Sequence, residues 1–244
     1  MLNSFAEPVD ALVVGAGGGI GGAFVDHLLA DERVRSVRAW SRSELGKSHA
    51  KLQTTRLDVG SESELQDASR EVDRLTLIVI ATGVLHGPGG MVPEKSWKSI
   101  DPAVMAESFR VNTIIPTMIM KHVIPRMPRK ERAIVCALSA RVGSISDNRL
   151  GGWHSYRASK AALNQVIQSF SIELKRTHPE AVCLGLHPGT VDTDLSSPFQ
   201  KSLAASHRLL TPSQSAGHLL EVIDAATPAQ SGQLLAWDGK KIDP

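Results

Sequence analysis

The sequence predicts a single α/β domain over residues 1–244, with a mainly parallel, doubly wound sheet of seven strands and helices on both faces. Short apolar runs alternate along the chain with stretches of helical spacing, which is typical of β-α-β units. Several of these runs are continuously apolar, as strands buried on both faces of a parallel sheet should be. The 244 residues are 42% hydrophobic and 21% charged, and no low-complexity linker divides them. One large domain is therefore expected.

The individual elements are predicted from hydrophobic periodicity and from helix-capping residues. Strands are expected at residues 9–14, 34–40, 54–57, 75–82, 132–138, 181–187 and 233–236. Helices are expected at residues 21–30, 62–70, 102–125, 153–177 and 213–225. Asp101 precedes Pro102, and Thr211 precedes Pro212, which is the usual order of a capping residue and a proline at a helix start.

Composition and spacing exclude several classes of function. The formal net charge is only +2 and basic residues form no long run, so no nucleic-acid partner is expected. Cys136 and Cys183 lie far apart without disulfide-type or zinc-type spacing, and the nine histidines form no metal-binding motif. No run of 18 apolar residues and no basic leader is present, so we expect a cytoplasmic protein with no membrane anchor and no metal.

A glycine-rich turn follows the first predicted strand and leads directly into the first predicted helix. Residues 14–22 contain two overlapping patterns, G-x-G-x-x-G starting at Gly17 and G-x-x-x-G-x-G starting at Gly15. Glycine lets the backbone turn sharply and lets a helix N-terminus approach a phosphate, where its N–H groups favour negative charge. Either pattern alone also occurs in plain packing turns, but the strand-turn-helix context favours dinucleotide binding.

A tyrosine and a lysine are spaced four residues apart on a predicted helix, as Tyr156-x-x-x-Lys160. Residues at this spacing lie on one helix face, so the phenol and the ammonium can be neighbours. A nearby ammonium favours the phenolate and is expected to lower the phenol pKa from its usual ~10. The same spacing is common on solvent-exposed helices, but Tyr156 is the only tyrosine in the chain. We interpret the pair as a candidate proton donor and the group that tunes it.

Two segments lack regular periodicity, residues 86–94 and residues 190–210. Each follows the carboxyl end of a predicted strand, and ligands of open α/β sheets bind outside those ends. The two segments are therefore expected to form a substrate rim, with a disordered connection as the alternative.

These motifs together resemble the short-chain dehydrogenase/reductase family over nearly the whole chain. The glycine turn, Tyr156, Lys160 and the upstream Ser139 carry the resemblance. Other residues fit the family at the expected places: Asp58 and Val59 after the third strand, Asn112 in the long helix, and Pro188-Gly189-x-Val191-x-Thr193 after the sixth strand. Residues 143–164 and 236–239 are similar to the C-factor-like and sniffer-like carbonyl reductase branch.

The resemblance implies a Rossmann-like fold and an oxidoreductase that transfers a hydride between nicotinamide and a carbonyl or alcohol of a small substrate. NADP(H) is the expected cofactor, with NAD(H) as the alternative, and a homo-oligomer, a dimer or tetramer, is also implied. The implied catalytic residues are Ser139, Tyr156, Lys160 and Asn112. The implied cofactor-binding residues are Gly15, Gly17, Gly19, Ile20, Arg42, Asp58, Val59, Ala81, Gly83, Tyr156, Lys160, Pro188, Val191 and Thr193.

Each implied catalytic residue has a role in the family. Tyr156 would donate a proton to the carbonyl oxygen, in general acid catalysis. Lys160 would lower the pKa of the phenol and hold the nicotinamide ribose. Ser139 would hydrogen-bond the substrate oxygen, and Asn112 would hold a water molecule for proton relay.

The sequence departs from the family pattern at three places. Val14 stands where the glycine motif usually opens with threonine, and residues 80–83 read Ile-Ala-Thr-Gly where Asn-Asn-Ala-Gly is usual. The position that most often carries the catalytic hydroxyl is Ala140, one residue after Ser139. Ser139 is therefore the first candidate for that role, and Ser144 is the reserve.

Cofactor choice is predicted from the end of the second strand. Proteins that select NAD usually place a carboxylate about twenty residues beyond the glycine turn, for the ribose 2′-hydroxyl. Arg42 stands there instead, and a guanidinium can bind a 2′-phosphate by charge-assisted hydrogen bonds. The alternatives are that Arg42 is a solvated loop charge, or that Glu44 turns inward and favours NADH.

A second class of function follows from the C-factor-like resemblance. The chain could be a dinucleotide-binding protein for signalling or regulation with little catalytic turnover. The Tyr156 and Lys160 pair discriminates between the two hypotheses, because a protein that only binds a dinucleotide does not need a proton donor.

Overall fold

The computed structural model describes residues 2–87, 91–202 and 209–244. Its strands are β1 (Val9–Val14), β2 (Val34–Ser41), β3 (Leu52–Arg56), β4 (Leu77–Ile80), β5 (Ala133–Leu138), β6 (Ala181–His187), β7 (Thr190–Val191), β8 (Leu209–Leu210), β9 (Leu234–Ala236) and β10 (Lys241–Ile242). Its α-helices are α1 (Gly19–Ala30), α2 (Glu62–Arg70), α3 (Pro102–Phe109), α4 (Ile115–Val123), α5 (His154–Thr177) and α6 (Pro212–Ala225).

The main sheet contains eight strands in the order β3-β2-β1-β4-β5-β6-β9-β10. All neighbours are parallel except β10, which runs antiparallel to β9. The predicted α/β class and the mainly parallel sheet are confirmed, but the predicted number of seven strands is wrong. The eighth strand, β10, is only two residues long and is defined by its pairing with β9, so periodicity carries no signal for it.

Helices cover both faces of this sheet. Along β1, Val13 packs in the core cluster that contains Phe24 of α1 and Leu219 of α6. The next residue, Val14, belongs to the cluster on the other face, which contains Leu163 of α5. Successive side chains of a strand point to opposite faces, so this alternation requires an apolar layer on each side. The sheet is therefore doubly wound, as predicted.

The strand order reverses between β1 and β4. From β1 the chain continues to β2 and β3 on one side, whereas β4, β5 and β6 follow on the other. Val14, the last residue of β1, pairs with Trp40 on one side and with Ile80 on the other. In doubly wound sheets the crevice outside the carboxyl ends of such a strand pair is the usual ligand site.

The predicted helix over residues 102–125 is interrupted in its middle. A π-helical turn over Arg110–Ile114 separates α3 from α4, and Asn112 lies within it. Asn112 is completely buried, and its amide makes hydrogen bonds to backbone and side-chain groups outside the turn. Single π-helical turns inside α-helices are frequent at functional sites.

Both cysteines are buried in neighbouring strands, Cys136 in β5 and Cys183 in β6. Burial raises the pKa of each thiol above its ordinary value, because the charged thiolate is poorly solvated there. In the part of the chain that the structure describes, no helix has the length and apolar character to cross a membrane. The described residues also contain no cluster of histidine, cysteine and acidic side chains suited to a metal ion.

Candidate active site

A cavity of about 810 Å³ opens at the switch point between β1 and β4. This volume lies within the usual range for small-molecule and cofactor sites, ~300–1,000 Å³. The segments that follow β1, β2, β3 and β4 each contribute to its lining, and so does the chain after β7. The predicted cofactor residues that line the cavity are Gly15, Gly17, Arg42, Asp58, Val59, Ala81 and Gly83.

The glycine turn is shaped by close backbone approach. Gly15 has a φ of +84°, and a Cβ atom there would lie 2.9 Å from the carbonyl carbon and oxygen of Ala81. A Cβ atom on Gly21 would lie only 2.2 Å from the carbonyl oxygen of Gly15. Both positions therefore require glycine, which explains the register that starts at Gly15. The turn holds the N-terminus of α1 beside the end of β4.

The N-terminus of α1 carries no side-chain cap. Gly18 is the N-cap residue, and it has no side chain to accept a hydrogen bond from the first helical N–H groups. These N–H groups have no carbonyl partner within the helix and favour an anion. Of the other predicted cofactor residues, Gly19 opens the helix, and Ile20 packs against the adjacent core.

Arg42 lies at the cavity edge after β2. Its side chain is exposed, and its backbone oxygen accepts a hydrogen bond from Arg56 Nε at 3.2 Å. Within the described residues its guanidinium forms no ion pair with a carboxylate. Glu44, the alternative determinant of cofactor choice, is exposed and does not line the cavity.

The segment after β6 closes against the glycine turn. A Cβ atom on Gly19 would lie 2.8 Å from Thr193 Cγ2, so Thr193 rests directly on the start of α1. Val191 is buried and pairs with Leu210 between β7 and β8. The oxygen of Pro188 accepts a hydrogen bond from the Ser215 hydroxyl of α6 at 2.8 Å. These contacts bring the Pro188–Thr193 residues to the same crevice as the glycine turn.

The two predicted rim segments meet across the crevice. His86 Nε2 lies 2.9 Å from the carbonyl oxygen of Asp194, and the His86 ring lies 5.9 Å from that of Phe199. The cavity is lined by His86 from the first segment and by Asp194 and Leu195 from the second. Residues 88–90 of the first segment and 203–208 of the second fall outside the described residues.

Tyr156 and Lys160 lie in the first two turns of α5. The ammonium nitrogen of Lys160 is 5.8 Å from the centre of the Tyr156 ring, and it donates a hydrogen bond to the Leu138 oxygen at 2.8 Å. Lys160 also approaches the cavity, because a Cβ atom on Gly83 would lie 3.6 Å from its Nζ. The predicted pair is thus formed, with the lysine beside the end of β5.

Burial determines the protonation of both groups. It raises the pKa of Tyr156 to about 12 and lowers the pKa of Lys160 to about 8, because each charged form is poorly solvated. The prediction that Lys160 lowers the pKa of Tyr156 is therefore wrong for the protein chain itself, where burial shifts that pKa upward. A phenol with this pKa stays protonated at neutral pH.

Asn112 organises the segment after β4. Its Oδ1 accepts a hydrogen bond from Val84 N–H at 2.8 Å, and its Nδ2 donates to Val84 O at 2.9 Å. Nδ2 also lies 3.2 Å from the Ser159 hydroxyl of α5. Asn112 therefore joins three elements around the site through its side chain.

The two candidate serines make different contacts. Ser139 follows β5 and donates a hydrogen bond to Asn164 Oδ1 of α5 at 2.7 Å. Ser144 donates to the backbone oxygen of Asp243 and accepts from the N–H of Asp147 at 3.1 Å. Neither hydroxyl is hydrogen-bonded to the Tyr156 phenol within the described ranges.

Sequence reasoning missed a row of aromatic rings beside the phenol. The Trp153 ring is 6.3 Å from that of Tyr156 and 5.2 Å from that of Phe199, which in turn contacts His86. His86 and Phe199 lie in the two segments predicted as a rim, but nothing in the local sequence pairs them with Trp153. These aromatic rings form an apolar surface beside the Tyr156 side chain.

Comparison with known proteins decides the family. Residues 10–204 match the family model described as short chain dehydrogenase. The chain belongs to the short-chain dehydrogenase family. Proteins similar to it include the C-signal protein of Myxococcus xanthus, 33% identical over 171 residues that cover 66% of this chain and 96% of that protein.

Solved structures of carbonyl reductases have the same fold. The NADPH-bound carbonyl reductase from chicken fatty liver is 26% identical, with a TM-score of 0.82 over 98% of this chain and all of that one. The carbonyl reductase Sniffer of D. melanogaster, 22% identical, has a TM-score of 0.82 over 96% of this chain and 99% of that one. The predicted short-chain dehydrogenase family is confirmed. This short-chain dehydrogenase is an oxidoreductase that depends on a nicotinamide dinucleotide.

Proposed function

We propose that this oxidoreductase reduces the carbonyl group of a small substrate with NADPH, or catalyses the reverse oxidation of the alcohol. The observation that carries the proposal is the Tyr156 and Lys160 pair in the first turns of α5, with Lys160 Nζ close to Gly83 of the cavity lining. A carbonyl reductase needs a proton donor that is protonated at its working pH, and the Tyr156 phenol, with a pKa of about 12, meets that need at neutral pH.

Features of the cavity support the proposal of a dinucleotide with a 2′-phosphate. The uncapped N-terminus of α1 and the missing Cβ atoms of the glycine turn suit a pyrophosphate. Arg42 lies at the edge with its guanidinium in solvent, where it would bind the phosphate on the ribose. Asp58 and Val59 would face the adenine end, and Pro188, Val191 and Thr193 the nicotinamide end. When bound, the nicotinamide supplies or accepts the hydride.

The side chains of this site would handle the proton and the substrate oxygen. Tyr156 would donate its proton to the carbonyl oxygen, and Lys160 would hold the nicotinamide ribose. Ser139 would hydrogen-bond the substrate oxygen, for which it must turn its hydroxyl away from Asn164. Asn112 would hold a relay water in the interrupted helix. The aromatic row of Trp153, Phe199 and His86 favours substrates with an apolar, flat group next to the carbonyl.

Three finer expectations from the sequence stay predictions. These are a single domain over residues 1–244, a cytoplasmic location and a homo-oligomeric assembly. The last can be measured by analytical ultracentrifugation, in which a single species of monomer mass would contradict it.

A second candidate function is dinucleotide-dependent signalling without appreciable turnover. The observation in its favour is the 33% identity to the C-signal protein, which the chain covers almost completely. Against it stands the complete Tyr156 and Lys160 pair, since a protein that only binds a dinucleotide does not need this proton donor.

One experiment tests both candidates. NADPH oxidation is measured against a panel of aldehydes, ketones and quinones, and NADPH binding is measured in parallel by fluorescence. We expect at least one carbonyl, with an aromatic or apolar flank, to be turned over. Tight NADPH binding without turnover of any carbonyl or alcohol would contradict the reductase and favour the signalling candidate.

A further inference from the structure

A buried carboxylate outside the proposed catalytic set contacts the start of α5. Glu94 belongs to the rim segment that follows β4, and it is only 4% exposed. Its carboxylate accepts hydrogen bonds from Ser155 N–H, at 3.2 and 3.3 Å from the two oxygens, and from the Ser155 hydroxyl. Its partners among the described residues are thus polar groups of α5 and not a cation. Burial of a carboxylate is costly unless such hydrogen bonds are made.

The backbone before α5 explains why the helix needs this distant partner. Gly151, Gly152 and Trp153 all have φ in the left-handed region, at +64°, +63° and +51°. Trp153 is the N-cap residue, and its side chain provides no capping hydrogen bond. A left-handed non-glycine residue is strained and persists only when its surroundings hold it. Glu94 stabilises this conformation, because its backbone carbonyl oxygen also accepts a hydrogen bond from Trp153 N–H.

The residue that donates to the Glu94 carboxylate is next in sequence to the tyrosine. Ser155 directly precedes Tyr156, so the Glu94 carboxylate fixes the turn that presents the Tyr156 side chain. A carboxylate at a helix N-terminus also interacts favourably with the helix dipole. Resting on the proposed reductase function, we propose that Glu94 is a positioning residue that holds Tyr156 in the orientation for proton donation. It also ties the first rim segment to the helix that carries the phenol.

The chain offers a matched control for loss of a cap. Asp101 caps α3 in the same chemical way, with its carboxylate accepting from Ala103 N–H at 2.8 Å and from Val104 N–H at 3.0 Å. The Asp101→Ala variant loses a comparable helix cap at a residue outside the proposed catalytic and cofactor set. Glu94→Ala and Asp101→Ala are each expected to lower the melting temperature by about 2–4 °C.

The single tyrosine gives a direct readout of the proposed effect. Because Tyr156 is the only tyrosine in the chain, incorporation of tyrosine labelled with ¹³C at the ring carbon next to the hydroxyl yields one NMR signal. In Glu94→Ala we expect this signal to shift or broaden, and to titrate at lower pH as water reaches the phenol. Glu94→Gln retains an acceptor for Ser155 and should restore the signal toward that of the wild type. Asp101→Ala should leave it unchanged.

Kinetics on a carbonyl substrate give the second readout. We expect Glu94→Ala to lower kcat about 10- to 100-fold through misplacement of the proton donor, with the KM for NADPH unchanged. An unchanged tyrosine signal and a kcat within twofold of the wild type would overturn the proposal, as would an equal change in Asp101→Ala. If Glu94→Ala does not fold, Ser155→Ala replaces it in the test, because this variant removes only the hydroxyl donor. Its Tyr156 NMR signal must then shift less, but in the same direction. An unshifted signal in Ser155→Ala would overturn the proposal.

The two readouts separate this proposal from the proposed function. The NMR comparison needs no substrate, so it decides the role of Glu94 even if the wild-type protein reduces no carbonyl. In that case the reductase fails, and the positioning of Tyr156 stands or falls on the labelled signal alone.

Discussion

The side-chain amide of Asn112 pairs with both backbone polar groups of Val84, accepting at 2.8 Å and donating at 2.9 Å. This double hydrogen bond holds the segment after β4 against the interrupted helix. Removal of the amide takes this partner away from the partly buried N–H and C=O groups of Val84. An unsatisfied buried polar group costs ~1–3 kcal/mol.

We therefore expect Asn112→Ala to lower the free energy of unfolding by roughly 1–3 kcal/mol or more, as measured by urea denaturation. The control is Asn3→Ala, which removes an exposed amide and should change that free energy by less than ~0.5 kcal/mol. Similar values for the two variants would show that the pairing with Val84 contributes little.

Tyr156→Phe should abolish most turnover and leave NADPH binding intact. The substitution removes one hydroxyl and keeps the ring that packs beside Trp153. General acid catalysis contributes about 10²–10⁴-fold, so kcat should fall by that factor. Steady-state kinetics and NADPH titration measure the two effects separately. A variant that reduces its substrate at nearly the wild-type rate would contradict the assigned proton donor.

Comparison of Ser139→Ala with Ser144→Ala tests which serine contacts the substrate. The Ser144 hydroxyl donates a hydrogen bond to the backbone oxygen of Asp243, so its loss should lower stability more than turnover. Ser139 lies at the end of β5 and is expected to lower kcat when replaced, with the fold unchanged. Kinetics and thermal melting of both variants give the answer. A large loss of kcat in Ser144→Ala alone would transfer the role to Ser144.

Arg42→Ala should reduce the preference for NADPH over NADH. Charge-assisted hydrogen bonds to a phosphate contribute ~1.5–3 kcal/mol, which corresponds to about a 10- to 100-fold loss of NADPH affinity. Affinity for NADH should stay within about twofold. Arg38→Ala is the control, because Arg38 contacts Gln53 and does not line the cavity. Equal affinities for the two cofactors in the wild type would refute the assignment.

Reductase activity should decline as the pH rises through about 8. Burial lowers the pKa of Lys160 from 10.5 to about 8, so its ammonium is present below that pH and lost above it. The phenol of Tyr156, with a pKa of about 12, stays protonated throughout this range. Lys160→Met should be slow and show no decline between pH 7 and 9 in a pH-rate profile. A decline that persists in this variant would assign it to another group.

The sequence predicts the parts of this fold that depend on local pattern. The strand over residues 9–14 has the predicted bounds, and the glycine turn lies where G-x-x-x-G-x-G places it. The predicted helix over 102–125 is interrupted at the π-helical turn that contains Asn112, whose buried amide bonds to Val84, 28 residues away. Helical periodicity does not register a contact of that kind.

In the candidate site, too, local patterns are predictable from the sequence and contacts between distant residues are not. Tyr156 and Lys160 are recognisable because a helix places residues four apart on one face. Glu94 gives no signal, because its partner Ser155 lies 61 residues further along the chain. The prediction that Lys160 lowers the pKa of Tyr156 is wrong for a related reason. Spacing indicates that two groups are neighbours, but the solvation that sets their pKa depends on everything packed around them.

The burial of Cys136 and Cys183 has a practical consequence for spectroscopy. Thiol reagents attack the thiolate, and both native thiols hold their protons inside the sheet. A dye or spin label can therefore be attached to one cysteine introduced at an exposed position such as Ser197, beside the crevice, without prior replacement of the native residues. The fluorescence or EPR spectrum of such a label would report changes in its surroundings at the rim as dinucleotide and substrate are added.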